Sequence, residues 1–427
     1  MESISILLLF KKLQIQEMKK QSNLPKKSKP MKSVLSFIPF LILLASPITL
    51  SAQQEVNYDE SKVPNLILPD LFVDFQGNRI TTAEAWESKR RPELLGLFAE
   101  HVYGKLPTDF DEQIFEVGEI DNHLHAGYAN LKTVNITVIR NSKSQDIRLK
   151  IYFPKTGKGP FPVFLLISHR DVEEITGNPE NQFFPVQQIV SRGYAAAIFD
   201  VEDVSPDDKA RFTEGILDTL YPEQLALSDG MRGLSAWAWG AMRAMDYFEI
   251  DEAIDSKRAT VVGHSRGGKA ALWCGANDTR WAITVSNESG CGGAALSRRK
   301  FGETVARINT TFPYWFTDNF KKYNGLEENL PLDQHQLIAS IAPRAVYVAS
   351  AMEDKWADPK GEYLSLKLGS RVYSEIYQVP ITLPDQYNYS LHTLHQKSVG
   401  YHLREGAHDL TGYDWGKILE FADLQFD

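Results

Sequence analysis

Short, continuously apolar runs alternate with longer amphipathic segments along most of the chain. Residues 161–168 and 194–199 form two such runs, and shorter ones follow at 259–262, 282–285 and 345–349. A continuous apolar run bounded by polar residues is typical of a strand that is buried on both faces of a parallel sheet. The pattern therefore predicts a series of strands that share one buried sheet.

Amphipathic segments between these runs predict the helices. Apolar positions have helical spacing or helical composition at residues 82–103, 184–192, 230–247 and 415–424. Two alternating segments within residues 130–153, separated by polar residues 141–145, predict an antiparallel hairpin before the first buried strand. Another short strand is expected near Tyr377. Strands that alternate with helices favour a mostly parallel sheet covered on both faces, which is a three-layer αβα sandwich.

One pentapeptide, Gly263-His264-Ser265-Arg266-Gly267, lies between a predicted strand and a stretch with helical character. A G-x-S-x-G sequence in that position is the nucleophile elbow of an α/β-hydrolase. The tight turn leaves no room beside the serine, and the flanking glycines satisfy that requirement. The helix N-terminus that follows favours developing negative charge. The sequence thus predicts an α/β-hydrolase fold with Ser265 as nucleophile; the alternative is a glycine-rich turn with an incidental serine.

A serine hydroxyl needs a neighbouring base, which in this fold is a histidine late in the chain. His408 precedes the predicted last helix, which is the expected position, and His402 and His395 are competitors. The acid that orients the histidine has two candidates. Glu288 follows the strand after the elbow helix, and Asp354 follows a later strand. Either carboxylate can orient the imidazole and stabilise its charged form.

The N-terminus has the pattern of an export signal. A lysine-rich segment precedes an apolar stretch at residues 34–50, which Ser51 and Ala52 follow. This order predicts a secretory signal cleaved near Ala52, with an uncleaved membrane anchor as the alternative. Met31 is the better start, so residues 1–30 are interpreted as an upstream extension. We therefore expect residues 53–427 to form a single α/β-hydrolase domain that is periplasmic or secreted.

Charge and cysteine content narrow the classes of partner. Residues 1–52 hold eight Lys and two Glu, so the remainder of the 427-residue chain carries a net charge of −15. Such an acidic domain argues against nucleic acid and anionic membranes as partners. No Cys and His cluster has metal-site spacing, so we expect no metal and no other cofactor. Cys274 and Cys291 would meet an oxidising compartment after export, and a disulfide between them is the less favoured expectation.

Several sequence blocks, in order, resemble the glucuronoyl esterases of carbohydrate esterase family 15. The blocks are GHSRGGKA (263–270), SNESGCGG (286–293), FPYWF (312–316), IAPR (341–344), DKWADP (354–359) and the loop that contains His408. They extend over residues 92–415, and several distinct blocks are far more specific than one elbow. His264 before the nucleophile resembles the bacterial members, because fungal members have Cys there. The resemblance implies the α/β-hydrolase fold and hydrolysis of glucuronate esters.

The resemblance also implies a role for each site residue. Ser265 would be the nucleophile, and His408 would be the general base and then the general acid. Glu288 matches the family's acid position, and Asp354 matches the alternative acid position of many bacterial members. Arg266 would stabilise the oxyanion through its backbone N–H and its guanidinium. The positions that hold the glucuronate sugar are matched by Lys269, Glu303 and Trp356.

Together these inferences predict a serine esterase that cleaves glucuronate esters linking xylan to lignin alcohols. Its partner would be a glucuronoxylan or lignin–carbohydrate ester, with no nucleic acid and no membrane after signal cleavage, and the chain would be a monomer. Two alternatives stay open. One is an esterase of the same fold that acts on acetyl xylan or a methyl uronate. The other is a catalytically silent carbohydrate-binding relative, against which Ser265, His408 and the two acids count.

Overall fold

One mixed sheet runs through the protein, whose computed structural model describes residues 56–121, 127–385, 387 and 393–426. These residues belong to one unit, residues 55–427. Within the described ranges the sheet has ten strands. They are β1 (Glu112–Val117), β2 (Ala129–Arg140), β3 (Lys143–Pro154), β4 (Phe161–Ser168), β5 (Ala195–Asp200), β6 (Ile254–His264), β7 (Ile283–Asn287), β8 (Ala345–Ala351), β9 (Thr393–His395) and β10 (Val399–Arg404).

The strand order across the sheet is β1-β2-β3-β5-β4-β6-β7-β8-β10-β9. The central strands β5, β4, β6, β7, β8 and β10 are all parallel to their neighbours in this series. The strands at the two ends pair antiparallel, which extends the sheet on both sides. The predicted α/β-hydrolase fold, a three-layer αβα sandwich with a mostly parallel central sheet, is confirmed.

Helices cover both faces of this sheet. The first, α1, combines Ala83–Ala85 and Arg91–Phe98 with two π-helical stretches, Trp86–Arg90 and Ala99–Tyr103. The others are α2 (Val172–Gly177), α3 (Val186–Ser191), α4 (Ile216–Thr219), α5 (Gly233–Phe248), α6 (Arg266–Asn277), α7 (Val305–Thr311), α8 (Gln334–Ala339), α9 (Pro359–Gly369), α10 (Arg371–Glu375) and α11 (Gly412–Phe426). Short 3-10 turns lie at Glu60–Lys62, Val201–Asp203, Pro222–Ala226, Ser297–Arg299, Asp318–Tyr323 and Glu327–Asn329.

Alternate residues of the central strands pack into two different cores. In β4, Val163, Leu165 and Ile167 join one core with side chains of α5 and α6. Phe164 and Leu166 join the other core with side chains of α3 and α11. Because successive side chains of a strand point to opposite faces, a sheet covered on both faces needs apolar residues at every position. This is why the predicted strands appear as continuous apolar runs.

The helix expected at residues 82–103 is present as α1. Thr82 caps its N-terminus by accepting the N–H of Ala85 at 3.2 Å. Gly104 ends it with φ at 93°, and a Cβ at this position would lie 2.7 Å from the backbone of Met231. Both the conformation and the close approach therefore favour glycine at this helix end.

The predicted hairpin is present, but its turn is tighter than expected. Only Asn141 and Ser142 connect β2 to β3, and both have positive φ, 53° and 61°. Positive φ at both central residues is the geometry of a two-residue hairpin turn. Residues 143–145 are polar because they lie at an exposed strand end, and they belong to β3.

The prediction of a short strand near Tyr377 is wrong. Tyr377 lies in irregular chain just after α10. Val372, Tyr373 and Ile376 are buried, and their i, i+1, i+4 spacing places them on one helical face. The strand that completes this side of the parallel sheet is instead β10, which lies closer to the C-terminus.

The predicted signal at residues 1–52, with its cleavage site at Ala52, lies outside the described residues. No helix among the residues described is long and apolar enough to cross a membrane. Cys274 and Cys291 are both buried and both free, so the less favoured disulfide is not formed. Burial raises the pKa of each thiol, which disfavours the reactive thiolate.

Candidate active site

Ser265 lies at the sharp turn between β6 and α6. Its φ of 55° and ψ of −123° are unusual for a residue with a side chain, and such strain costs about 1–3 kcal/mol. A Cβ at Gly263 would lie 2.0 Å from the Gly267 carbonyl oxygen, and a Cβ at Gly267 would lie 2.8 Å from the Ile167 carbonyl oxygen. The Ser265 N–H donates to the Asn287 carbonyl at 2.8 Å. The turn therefore has the geometry of a nucleophile elbow.

Four of the predicted site residues follow successive parallel strands. Ser265 follows β6, Glu288 follows β7, Asp354 comes after β8, and His408 lies in the loop between β10 and α11. Because neighbouring parallel strands end at the same edge of a sheet, these side chains converge. Ser265, Glu288 and His408 line one cavity of about 310 Å³. Ser265 and His408 thus share a cavity although they are far apart in sequence.

Both candidate acids contact the same nitrogen of His408. Asp354 Oδ2 lies 2.6 Å from His408 Nδ1, and Glu288 Oε2 lies 3.2 Å from it. The two carboxylates are buried, whereas 40% of the His408 side chain is exposed. With Nδ1 engaged, Nε2 is the nitrogen that can exchange a proton in the cavity. Both carboxylates that the sequence offered as the orienting acid therefore contact His408, and Asp354 lies at the shorter distance from Nδ1.

These contacts change the acidity of the groups. Burial acts against the charged form of His408, but the hydrogen bonds that its Nδ1–H donates to Asp354 and Glu288 raise its pKa to about 9. Burial raises the pKa of Glu288 to about 7, although His408 and Arg404 act in the opposite direction. The carboxylates thus stabilise an imidazolium, which is the state that a general base reaches when it has taken a proton.

The loop of His408 is fixed by Arg404, a residue that sequence reasoning missed. Arg404 Nη2 donates to Glu288 Oε1 at 2.7 Å and to the carbonyls of Ala407 and Asp409 at 2.8 Å. Its Nε donates to both oxygens of Asp414 in α11. One buried guanidinium therefore connects Glu288 after β7, the loop that contains His408 and the last helix.

The same three side chains could also offer ligands to a cation. One atom each of Glu288, Asp354 and His408 lie within 4.8 Å of one another. They come from three separate loops, so no Cys and His spacing in the sequence indicates this group. Two of the contacts within the group are short Nδ1–carboxylate contacts, and a cation would have to replace them. The geometry therefore suits an imidazole oriented by carboxylates.

The competing histidines lie elsewhere. His402 is fully buried, with Nε2 2.8 Å from Asp414 Oδ1 and Nδ1 2.8 Å from the Tyr347 hydroxyl. His395 Nε2 lies 3.1 Å from the same hydroxyl. Neither lines the cavity of Ser265. His264, directly before the nucleophile, is buried with Nδ1 2.5 Å from the Asn287 side-chain oxygen.

Arg266 lines the cavity beside Ser265 and is held by an acid that the sequence did not indicate. Arg266 Nη1 forms an ion pair with Asp207, and its guanidinium lies 4.6 Å from the ring centre of Trp315. Asp207 Oδ1 also accepts from Trp315 Nε1 at 2.8 Å and from the Tyr314 hydroxyl at 2.9 Å. The guanidinium is thus fixed by a carboxylate and an aromatic ring while 27% of its side chain stays exposed.

The three predicted sugar-binding residues also line this cavity. Lys269 Nζ donates to the Ser289 carbonyl and lies 4.0 Å from Glu303 Oε2. Burial lowers the pKa of Lys269 and raises the pKa of Glu303, each against the attraction of the other. The Glu303 N–H donates to the Trp356 carbonyl at 2.9 Å. Lys269 and Glu303 therefore contribute buried polar groups to the wall of the cavity, and Trp356 contributes a partly exposed aromatic side chain.

The fold and the cavity together define a hydrolase of the α/β-hydrolase class, with a serine at its elbow. Residues 136–376 match a family model described as glucuronyl esterase, fungi. The chain belongs to the glucuronoyl esterase family, carbohydrate esterase family 15, and is a carboxylic ester hydrolase. The family predicted from the sequence blocks is therefore confirmed.

Individual relatives agree with this assignment. A carbohydrate esterase from an unknown prokaryotic organism is 41% identical over 401 residues, which are 86% of this chain and 91% of that protein. The structure of a promiscuous esterase of family 15 from a marine bacterial metagenome has a TM-score of 0.78 and 38% identity, covering 87% of this chain and 100% of that one. A glucuronoyl esterase variant from Sporotrichum thermophile, solved with methyl 4-O-methyl-beta-D-glucopyranuronate, has a TM-score of 0.64 and 26% identity, covering 84% and 88%.

Proposed function

We propose that this chain is a serine esterase that hydrolyses esters of (4-O-methyl-)glucuronic acid, as in xylan–lignin cross-links, through an acyl-enzyme on Ser265. The observation that carries the proposal is one cavity that contains Ser265, Arg266 and His408, with the far nitrogen of His408 held by two carboxylates. Membership of the glucuronoyl esterase family supports the substrate class.

In the first step Ser265 Oγ attacks the ester carbonyl carbon and His408 Nε2 takes the hydroxyl proton. The carbonyl π bond breaks and its oxygen becomes anionic. When the tetrahedral intermediate collapses, the bond to the alkoxy oxygen breaks and the alcohol leaves with the proton from His408. Water then gives a proton to the same imidazole and attacks the acyl carbon. The bond from that carbon to Ser265 Oγ breaks, the serine oxygen takes the proton from His408, and the uronic acid leaves. Asp354 and Glu288 hold the imidazole through Nδ1 and stabilise its charged form in both steps.

Arg266 supplies positive charge where the oxyanion forms. Its backbone N–H lies in the first turn of α6, where N–H groups lack a partner within the helix. Its guanidinium is held in place by Asp207 and Trp315, so little reorganisation is needed when charge develops. Loss of one such donor typically lowers turnover about 10²–10³-fold.

Lys269, Glu303 and Trp356 would bind the uronate ring. The ammonium and the carboxylate present a donor and an acceptor to sugar hydroxyls, and the indole offers an apolar surface to the ring. No metal or other cofactor has a part in this mechanism. We also propose that residues 1–52 direct export and are removed, that residues 53–427 act as one monomeric catalytic domain, periplasmic or secreted, and that nucleic acid and membranes are not partners.

A second candidate is an esterase of the same fold with broader substrates, such as acetyl xylan or other methyl uronates. The metagenome esterase, 38% identical, is described as promiscuous, and this observation favours including it. The third possibility, a silent carbohydrate-binding relative, has no comparable support.

The test is turnover by the purified protein on benzyl glucuronate and on an acetylated xylan, with Ser265→Ala as the control. We expect the ratio of kcat/KM to favour the glucuronate ester and the variant to lose activity on it. Equal or better turnover of the acetyl ester would favour the second candidate. Full activity of Ser265→Ala on the glucuronate ester would contradict the proposal.

A further inference from the structure

One cation of the cavity, Arg307, has no polar partner for its side chain within the part of the chain that the structure describes. Arg266 is paired with Asp207, and Lys269 contacts Ser289 and Glu303. The Arg307 guanidinium makes no ion pair and no hydrogen bond with any residue that the structure describes, and it lies over the ring of Trp356, 5.9 Å from the ring centre. Arg307 nonetheless lines the cavity and is half-buried.

A side chain in this position has donors to offer to a ligand. A guanidinium carries five N–H donors in a rigid fork. The Arg307 side chain is half-buried and lines the cavity, so an oxygen-rich ligand bound there can accept hydrogen bonds from these donors. Surface arginines elsewhere in the chain, such as Arg258 with Asp255 at 2.7 Å, have carboxylate partners. The missing partner at Arg307 therefore points to the ligand.

The position of Arg307 indicates which part of the substrate it meets. Arg307 and Thr311 are one helical turn apart on α7, both line the cavity, and the Thr311 hydroxyl donates to the Arg307 carbonyl at 3.0 Å. Trp356, whose ring lies beside Arg307, is one of the three residues predicted to bind the uronate ring. Its carbonyl accepts the N–H of Glu303, which is another of the three. With the uronate ring against Trp356, as proposed above, Arg307 lies next to the ring, and a sugar chain that continues from the ring on this side meets its guanidinium.

We propose that Arg307, with Thr311, forms a subsite for the sugar chain that carries the esterified uronate, and that its guanidinium donates to oxygen atoms of that chain. This inference rests on the proposed function. It predicts that Arg307 contributes to binding of an oligosaccharide ester and contributes little to hydrolysis of an ester that ends at the uronate.

The test compares three esters: methyl glucuronate, benzyl glucuronate, and a methyl-esterified glucuronate carried by a xylo-oligosaccharide. For Arg307→Gln we expect kcat/KM on the oligosaccharide ester to fall about tenfold, mainly through KM, which is the scale of one hydrogen bond to a charged group. On the two small esters we expect changes below about twofold. Arg307→Lys should recover only part of the loss, because an ammonium lacks the planar fork.

The matched control is Arg258→Gln, a residue within β6 that does not line the cavity of Ser265; it should leave turnover of all three substrates unchanged. Equal losses of the Arg307 variants on all three esters, a loss confined to benzyl glucuronate, or no loss on any ester would overturn the subsite while leaving the proposed function intact. A wild-type protein that hydrolyses none of the three would overturn the proposed function, and the subsite with it.

Discussion

Two histidines six positions apart, His402 and His408, are both paired with buried carboxylates but differ in what their second nitrogen meets. Both ring nitrogens of His402 are occupied, one by Asp414 and one by Tyr347, and the side chain is fully buried. In His408 the two carboxylates share Nδ1, and the imidazole lines the cavity of Ser265. A carboxylate–histidine pair therefore indicates an active site only when the remaining ring nitrogen faces a cavity that also contains a nucleophile.

The largest expected effect is the loss of the cavity histidine. His408→Ala removes the proposed base, so kcat on a glucuronate ester should fall at least about 10⁴-fold. Steady-state kinetics of the purified variant measures this, with cooperative unfolding as the control for a folded protein. Activity within tenfold of wild type would show that another group takes the serine proton and would remove the distinction between the two histidines.

The buried histidine should give the opposite result. His402→Ala removes one partner of Asp414, which keeps Arg404, and one partner of the Tyr347 hydroxyl, which keeps His395. The lost hydrogen bonds and the cavity left in the core together cost about 2–5 kcal/mol. We expect the free energy of unfolding in urea to fall by about 3 kcal/mol, while the folded fraction keeps kcat within about tenfold of wild type. A loss of turnover as large as that of His408→Ala, without loss of stability, would contradict this assignment.

The two carboxylates at His408 should be unequal. Asp354 is at 2.6 Å, whereas Glu288 is at 3.2 Å and also binds Arg404. We expect Asp354→Asn to lower kcat/KM about 100-fold and Glu288→Gln about tenfold, with the second variant also less stable because Arg404 loses a partner. Full activity of both single variants with an inactive double variant would mean that the two acids are redundant. An active double variant would contradict the assignment of either residue as the acid that orients His408.

The smallest effect is on pH dependence. The carboxylates raise the pKa of His408 to about 9, and the proposed base must be neutral, so kcat/KM should rise as pH increases through about 9. Asp354→Asn removes one stabilising contact of the imidazolium, so the rise should move to lower pH. A pH profile of kcat/KM for the two proteins measures the shift. An unchanged midpoint would mean that Asp354 does not act on His408.

Much of the fold was predictable because burial on both faces of the sheet leaves a local signal. β4 is apolar from Phe161 to Ile167 and β5 from Ala195 to Phe199, and each strand ends in a polar residue. Their short length and apolar composition identify them as buried strands. The interpretation at Tyr377 was wrong because short apolar segments such as 372–379 fit strand and helix alike. In this segment, the packing of Val372 and Tyr373 in the core favours the helix over the strand.

The candidate site was predictable where chain order carries it, and elsewhere it was not. Ser265, His408 and the two acids follow strands in the order that this fold requires, so position in the sequence identifies them. Asp207 and Arg404 have no such signal, because their contacts with Arg266 and Glu288 join loops that lie far apart in the chain. Electrostatic partners of this kind depend on where loops end in space, which periodicity and motif spacing do not report.

The central claim is that Ser265 is a nucleophile activated within the cavity it shares with His408. The most direct measurement is to treat the wild-type protein with a fluorophosphonate, digest it, and locate the adduct by peptide mass spectrometry. The account predicts one adduct on Ser265, strongly reduced in His408→Ala and absent in Ser265→Ala. An unlabelled wild-type protein, or an adduct on another residue that persists in Ser265→Ala, would contradict it.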